Sequence, residues 1–469
     1  MAKPRMARCI GLQGDWATRC ARPVRAWLGV LLFAAVFAPS GCRPEPTAPS
    51  DERALPRTDA VTGLLQGSGD GFAVADRIRP MQFPDDHAPH VQYRTEWWYF
   101  TGHLRAEVAQ AENSRRGDAR RGADRRNVER WFGFQYTVFR QALRPPDVLR
   151  PPALSGATSA WRSDTAWLAH LALTDIQRGE HSGHARIARG ALGLGGLVPT
   201  SIDAAGHKLE APSTRGTFAI MVDGWRLQRA ADGAFLIDAE SATGAGAGAG
   251  SDAGAGVAGA TEAGAIGLQL RLVPLSAPVL HGQQGWSRKG PSSASYYFSI
   301  PRWRVTGKVR TTTGEWLQVR GDGWLDREWS TSALAPEQVG WDWFSLNLGR
   351  DPLGRDRELM LFRLRRSDGR ADPFNSGTLV TAGVARVLRA DDFSVIPVDF
   401  WQDESGRHWP VSWTVTLREP ALRLRVQAVL PDQLMRVGLV YWEGAVSVDG
   451  DAKGRGYLEM TGYAPHARR

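Results

Sequence analysis

Two short stretches set carboxylates among indole rings. In "WLDREW", Trp324 to Trp329, a β-strand puts Trp324, Asp326 and Glu328 on one face, with Arg327 and Trp329 on the other. In "GWDWF", Gly340 to Phe344, Trp341 and Trp343 share a face and Asp342 lies opposite. A carboxyl group enclosed by indoles loses hydration, so its pKa rises and it becomes a general acid near neutrality. The ring faces would steady a transient carbocation. Asp326, Glu328, Trp324 and Trp329 are therefore candidate catalytic residues, the carboxyl groups as general acids and the indoles as cation stabilisers. The competing arrangement salt-bridges Arg327 to one carboxylate and leaves the tryptophans as packing.

A third stretch, "TEWWYFTGHL" (Thr95 to Leu104), poses the same question. Glu96, Trp98, Phe100 and Gly102 share one strand face, and Trp97, Tyr99, Thr101 and His103 share the other. Both faces are aromatic, so this strand is expected to be central and covered on both sides. A buried unpaired carboxylate is costly, and Glu96 needs a cation or donors. Arg140, ending the neighbouring "QYTVFR" segment, is a plausible partner. A structural Glu–Arg pair and a pocket role both fit. His103 and His170 are single histidines on strands, each either a hydrogen-bonded core residue or a site residue. The candidate ligand-binding set is Glu96, Trp98, Tyr99, His103, Gln135, Arg140, His170, Trp341 and Trp343. Replacing Glu96 by Ala is expected to lower both stability and binding.

The elements that position these residues read as strands throughout. Short alternating segments, rich in aromatic and β-branched residues and bounded by Gly, Asp, Pro or Asn, run from "EWWYFTGHL" to "GRGYLEMTGY". Helix-period runs are nearly absent. The expected fold is all-β: two antiparallel β-barrel or sandwich domains in tandem, which the resemblance described below makes lipocalin-like. About eight segments in each half suit a barrel holding one small ligand, although a sandwich has a similar strand count. Residues 73–334 are assigned to the N-terminal domain and 335–469 to the C-terminal one. The charged, Gly-containing stretch near 110–130 reads as a solvated loop, and the Gly/Ala tract near 242–265 as disordered.

The N-terminus reads as an export signal, residues 1–41. Arg19, Arg22 and Arg25 precede the apolar run "AWLGVLLFAAVF", and "APSGC" ends at Cys42. Small residues before that cysteine resemble a lipobox, with Cys42 acylated and residues 42–72 forming a flexible tether. Arg43 favours the outer membrane over inner-membrane retention. The expectation is a periplasmic protein tied to the membrane by lipid. Of the formal charge of +9, residues 1–41 supply +5, which leaves +4 and no basic stripe for nucleic acid. Cys9, Cys20 and Cys42 are the only cysteines, so the domains are thiol-free. No GxSxG elbow, HExxH motif or P-loop occurs, and the histidines form no spaced ligand cluster. No metal or cofactor is expected.

Taken together, "EWWYFTGHL", "FGFQYTVFR", "AHLALTD", "YYFSIPRWRVTG", "GWLDREW", "GWDWFSLNL" and "GRGYLEMTGY" resemble the AttH/CrtC family of tandem lipocalin-like proteins, from about Glu96 to Tyr463. The resemblance implies two barrel-like domains in one molecule. It also implies a choice of activities: carotenoid 1,2-hydratases, AttH-like exported lipoproteins associated with ABC permeases, or distantly related pericyclases. Hydratases of the family tend to show Asp-His-Glu-Trp where this chain has Asp326, Arg327, Glu328 and Trp329. Arg327 lacks a proton that titrates near neutrality. Where those hydratases carry acidic and Tyr positions, this chain offers Phe362 and Leu364. Together with the lipobox, these differences point to the AttH-like branch. The expected function is binding of an apolar or lipid-like small molecule, accessory to an ABC permease. The alternative is a carotenoid or terpenoid 1,2-hydratase or isomerase.

Overall fold

Alternating apolar and polar residues, interrupted by Gly, Pro and Asp turns, build strands along the whole described chain. The structure, a computed structural model, describes residues 69–109, 127–146, 163–198, 215–241, 264–331, 334–438 and 440–463. The export signal, Cys42, the tether up to residue 68 and insertion residues 110–126 and 242–263 lie outside the described residues. Among the described residues there is no α-helix.

Strands β1 (Thr95–Ala109), β2 (Asn127–Ala142), β3 (Thr165–Asp175) and β4 (Glu180–Arg189) form one antiparallel meander. A second comprises β5 (Gly195–Val198), β6 (Phe218–Val222), β7 (Trp225–Arg229), β8 (Phe235–Glu240) and β9 (Gly267–Pro274). The short β10 (Val279–Leu280) and β11 (Trp286–Arg288) lie against β12 (Ala294–Arg310). With β13 (Trp316–Ser330), β12 joins the meanders: β13 pairs with β1, and β12 with β9. This 13-stranded sheet curls into a near-barrel, its end strands β4 and β5 close together but not hydrogen-bonded into one ladder.

The second sheet has ten strands. They are β14 (Gln338–Arg350), β15 (Asp356–Arg366), β16 (Ser376–Thr381), β17 (Val384–Arg389) and β18 (Phe393–Gln402). β19 (His408–Leu417), β20 (Leu422–Ala428), β21 (Leu434–Arg436), β22 (Val440–Gly450) and β23 (Gly454–Met460) complete it. β23 closes back on β14 as β13 does on β1, and the curl stays open between β17 and β18. The tandem all-β fold is as expected, but the strands outnumber the eight or so anticipated per half. The extra ones are short or polar: β5, β10, β11 and β21 are brief, and β4 ("EHSGHARIAR") hides its alternation behind histidines and arginines.

Each sheet fills its own interior. Trp98, Phe100, Phe132, Tyr136, Trp225, Trp303 and Trp329 crowd the first, and Phe344, Trp409, Trp413 and Trp442 the second. Removing such a ring from water is worth about 2–3 kcal/mol, so these interiors carry much of the stability. The outer faces of β1, β2, β3 and β13 pack on those of β14, β22 and β23 across a third aromatic cluster containing Tyr99, Tyr297, Trp324, Trp343 and Tyr457. At one close approach of the sheets, β2 carries Gly133: a Cβ there would stand 2.8 Å from Ala445 Cβ and 2.9 Å from Tyr457 Oη. Beyond this close approach the sheets part, and a hollow opens between them.

Candidate functional site

The hollow is a cavity of about 210 Å³ along the seam. The first sheet supplies Trp97, Tyr99, Phe139 and His170 from β1, β2 and β3, and Tyr297, Asp326 and Glu328 from β12 and β13. The second supplies Trp341, Trp343, Phe362, Tyr441 and Glu459. Period-two alternation decides which residues face it. β13 turns Asp326 and Glu328 to the seam and Arg327 and Trp329 to the barrel interior.

Asp326 is held by three donors. Tyr297 Oη donates to Oδ2, Ser299 Oγ to Oδ1, and Trp324 Nε1 to Oδ1 at 2.7 Å. Burial drives its pKa up to about 7 against the pull of these donors, and nearby Glu328 adds to the rise. Behind Ser299 stands His281, with Nε2 2.6 Å from Ser299 Oγ and Nδ1 2.8 Å from Thr378 Oγ1. Because Ser299 gives its proton to Asp326, His281 Nε2–H donates to Ser299 and Nδ1 accepts from Thr378. That row of hydrogen bonds ties Asp326 to β16 of the other sheet. Trp343 Nε1 donates to Tyr297 Oη at 2.9 Å and does the same from β14.

Glu328 is ion-paired with Lys289, whose ammonium lies 5.5 Å from the Trp97 ring centre and 5.0 Å from that of Phe362. Across the seam, Trp341 Nε1 donates to Glu459 Oε1 at 2.8 Å. Glu459 keeps some surface open to the cavity while protein surrounds it. Burial pushes its pKa up to about 7; Trp341 and Lys289 pull down, and Asp326 and Glu328 push up. Directly opposite on β22, Glu443 accepts from Tyr99 Oη at 2.5 Å. Burial and the charge of Glu459 hold its carboxyl well above the usual range.

Of the candidate residues, Asp326, Glu328, Tyr99, Gln135, His170, Trp341 and Trp343 line the cavity. His170 Nδ1 lies 2.7 Å from Tyr441 Oη, and Gln135 donates to Thr137. Trp324 stands behind Asp326 and borders a separate small hollow. His103 borders it too, its Nε2–H donating to the Gly456 carbonyl at 2.9 Å. Glu96, Trp98 and Trp329 do not line the cavity; they are one residue out of phase with it and point into the first barrel. Arg140 borders the cavity, but its guanidinium serves Glu96 and the carbonyls of His90 and Tyr93.

Glu96 is thus a structural ion. Arg140 holds Oε1, Arg327 holds Oε2, and the His90 amide donates to Oε2 at 2.9 Å. Burial opposes its charge, yet Arg327, His90 and Arg140 keep its pKa well below the carboxylate range. Arg327 is stacked 3.9 Å over the Trp98 ring. It pairs with Glu96 and with neither Asp326 nor Glu328, so its place in the Asp-Arg-Glu-Trp run has no bearing on proton transfer in the cavity.

Tyr297, Ser299, His281, Lys289, Glu443 and Glu459 are missing from the sequence-derived set. Glu459 had the clearest signal, a lone carboxylate between Leu458 and Met460 in "GRGYLEMTGY". Tyr297 and Ser299 share one face of "SYYFSI".

The AttH-like family profile matches residues 122–463. Among solved structures, a Nitrosomonas europaea protein ascribed to AttH superposes with a TM-score of 0.61 at 29% identity, covering 84% of this chain and 100% of that one. Kievitone hydratase from Nectria haematococca has a TM-score of 0.50 at 13% identity over 84% of this chain and 96% of its own, a likeness of fold alone. A sequence comparison with curated proteins gave no match. Since the family profile runs through both sheets and the residues that meet at their seam, the chain belongs to the AttH-like family.

Proposed function

We propose that the seam cavity takes an unsaturated apolar small molecule and that Glu459 protonates one of its double bonds, so that the protein acts as a hydratase or isomerase on polyene or terpenoid guests. One observation carries this reading: among rings suited to a greasy guest, Glu459 presents an acid held up to about 7. A plain carrier would gain nothing from such a group. Asp326 is the weaker choice for the acid, because both its oxygens already accept from the protein.

In this mechanism the Glu459 proton forms a C–H bond as the π bond breaks. The ring faces of Trp97 and Trp341 and the carboxylate of Glu328 stabilise the carbocation. Water adds to the cation and passes its surplus proton to Glu328, which Lys289 holds in place; loss of a neighbouring proton instead gives the isomer. Asp326 and Tyr297 fix the wall against which the guest lies. The export signal and Cys42 extend the proposal to a lipid-anchored protein in the periplasm, handing its guest to or from an ABC permease.

The test is incubation with acyclic carotenoids in heavy-oxygen water. Wild type should yield labelled tertiary alcohol, or a shifted double bond without label, and Glu459→Gln neither. Turnover unaffected in Glu459→Gln would refute the assignment of the acid. If wild type leaves carotenoids unchanged but purifies with a defined apolar compound, the cavity is a carrier's site.

A further inference from the structure

Glu443 has no part in that scheme, although its position suggests one. It sits directly opposite Glu459 on the β22–β23 ladder, with both side chains on the seam face. Opposite rungs of an antiparallel pair stand about 4.5–5.5 Å apart at Cα. Glu443 is fully buried. Its Oε1 accepts from Tyr99, while Oε2 has no hydrogen-bond partner. A buried, half-satisfied carboxyl group is costly unless something completes it. Were Glu443 ionised beside an ionised Glu459, two like charges would share a water-poor seam. The arrangement is at ease when Oε2 carries a proton whose acceptor appears only once Glu459 has lost its own.

We infer that Glu443 and Glu459 work as one dyad, in which Glu459 gives its proton to the guest and the still-protonated Glu443 donates a hydrogen bond to the carboxylate left behind. The O–H bond at Glu443 Oε2 stays intact and gains in the ionised Glu459 the acceptor it lacks. The charge remains on Glu459 until its proton returns. The proton that water releases to Glu328 restores the dyad, so the net change is the addition of water to the guest. Glu443 touches no guest and acts through Glu459. It is a positioning residue that steadies the Glu459 carboxylate. The other titratable or charged groups facing the pair are Tyr99, Tyr441, Tyr457, Asp326, Glu328 and Lys289.

The use of this dyad rests on the proposed role of Glu459, but its existence can be measured without any guest. Infrared spectra of the full chain with carbon-13 glutamate resolve the carbonyl band of protonated carboxyl groups. The band of Glu443 should persist above about pH 8, after Glu459 has ionised, and vanish in Glu443→Gln. In Glu459→Gln the opposing charge is gone. The Glu443 proton should then leave by about one pH unit or more lower, a tenfold change in affinity. A high-pH band unchanged in Glu443→Gln, or a Glu443 titration unmoved in Glu459→Gln, overturns the dyad. Should Glu443→Gln fail to fold, Glu459→Gln alone decides, because it leaves Glu443 and Tyr99 in place. An inert protein with these titrations intact would refute the proposed chemistry and leave the dyad standing. Turnover without a high-pH band would do the reverse.

Discussion

Glu96 and Glu459 are both carboxyl groups among aromatic rings, and their neighbours send them in opposite directions. Two guanidiniums and an amide surround Glu96, so it is charged. Glu459 is buried beside the carboxyl groups of Asp326, Glu328 and Glu443 with a single indole N–H to set against them, so it resists charging. Breaking the first arrangement strands two buried cations. Glu96→Ala should therefore lose about 3–5 kcal/mol of stability, measured by urea unfolding. Its effect should stop there: binding of N-phenylnaphthylamine in the cavity, read by fluorescence, should match wild type while the protein stays folded. A loss of binding with unchanged stability would mean that Glu96 reaches the cavity after all. The Arg140 partner was legible because it ends the adjacent segment. Arg327 was not, since it comes from β13, 231 residues away. Glu459 hid for the same reason: it meets Asp326, Glu328 and Lys289 only when the two sheets pack, and no spacing along the chain encodes that meeting.

At the level of strands, alternation is the rule that sorts structure from site. β1 presents Trp98 to the barrel interior and Trp97 to the seam. Trp98→Ala should cost about 3–5 kcal/mol through the cavity it leaves. Trp97→Ala should cost far less and instead weaken N-phenylnaphthylamine binding, since it removes a cavity wall and a ring near Lys289. The reverse pattern would place the cavity on the wrong side of β1. This sorting was readable from "TEWWYFTGHL": the two faces were separable, and only the choice of pocket face needed the second sheet. The second sheet repeats the device. On β14, Asp342 is fully buried and paired with Arg363 and Arg365, as Glu96 is with its two arginines, while Trp341 and Trp343 flank the seam. "GWDWF" carries that signal as plainly as "TEWWYF", but its partners on β15 lie in "FRLRR", where charge density masks burial.

For the molecule as a whole, the seam makes stability a contest between buried histidines and buried acids. Burial lowers His87, His170 and His281 to about 3, and His103 and His181 to about 4. Three of these, His103, His170 and His281, hydrogen-bond across the seam. A histidine held neutral in the folded state contributes fully above its unfolded value of 6.5, and this is lost as pH falls toward 3–4. Asp326, Glu358 and Glu459, raised to about 7, behave oppositely: their contribution is complete below the unfolded values of 3.8 and 4.5 and is lost as pH rises through about 7. Between about pH 4.5 and 6.5 the two sets oppose each other, five histidines binding protons in the unfolded chain against four carboxyl groups, Glu443 included, holding them in the folded one, and they balance near about pH 6. Below that window the raised acids no longer offset the histidines, and Glu96 and Asp86, whose pKa values are depressed, add to the loss, at about 1.4 kcal/mol per pH unit for each group. Urea midpoints should therefore peak near about pH 6, decline toward pH 8 and collapse below about 4.5. His281→Gln, which keeps an amide donor toward Ser299, should soften the acid collapse and leave the alkaline decline untouched. A midpoint rising steadily from pH 5 to 8 would mean that the seam acids are ionised in the folded protein, and the acid assigned to Glu459 would fall with them.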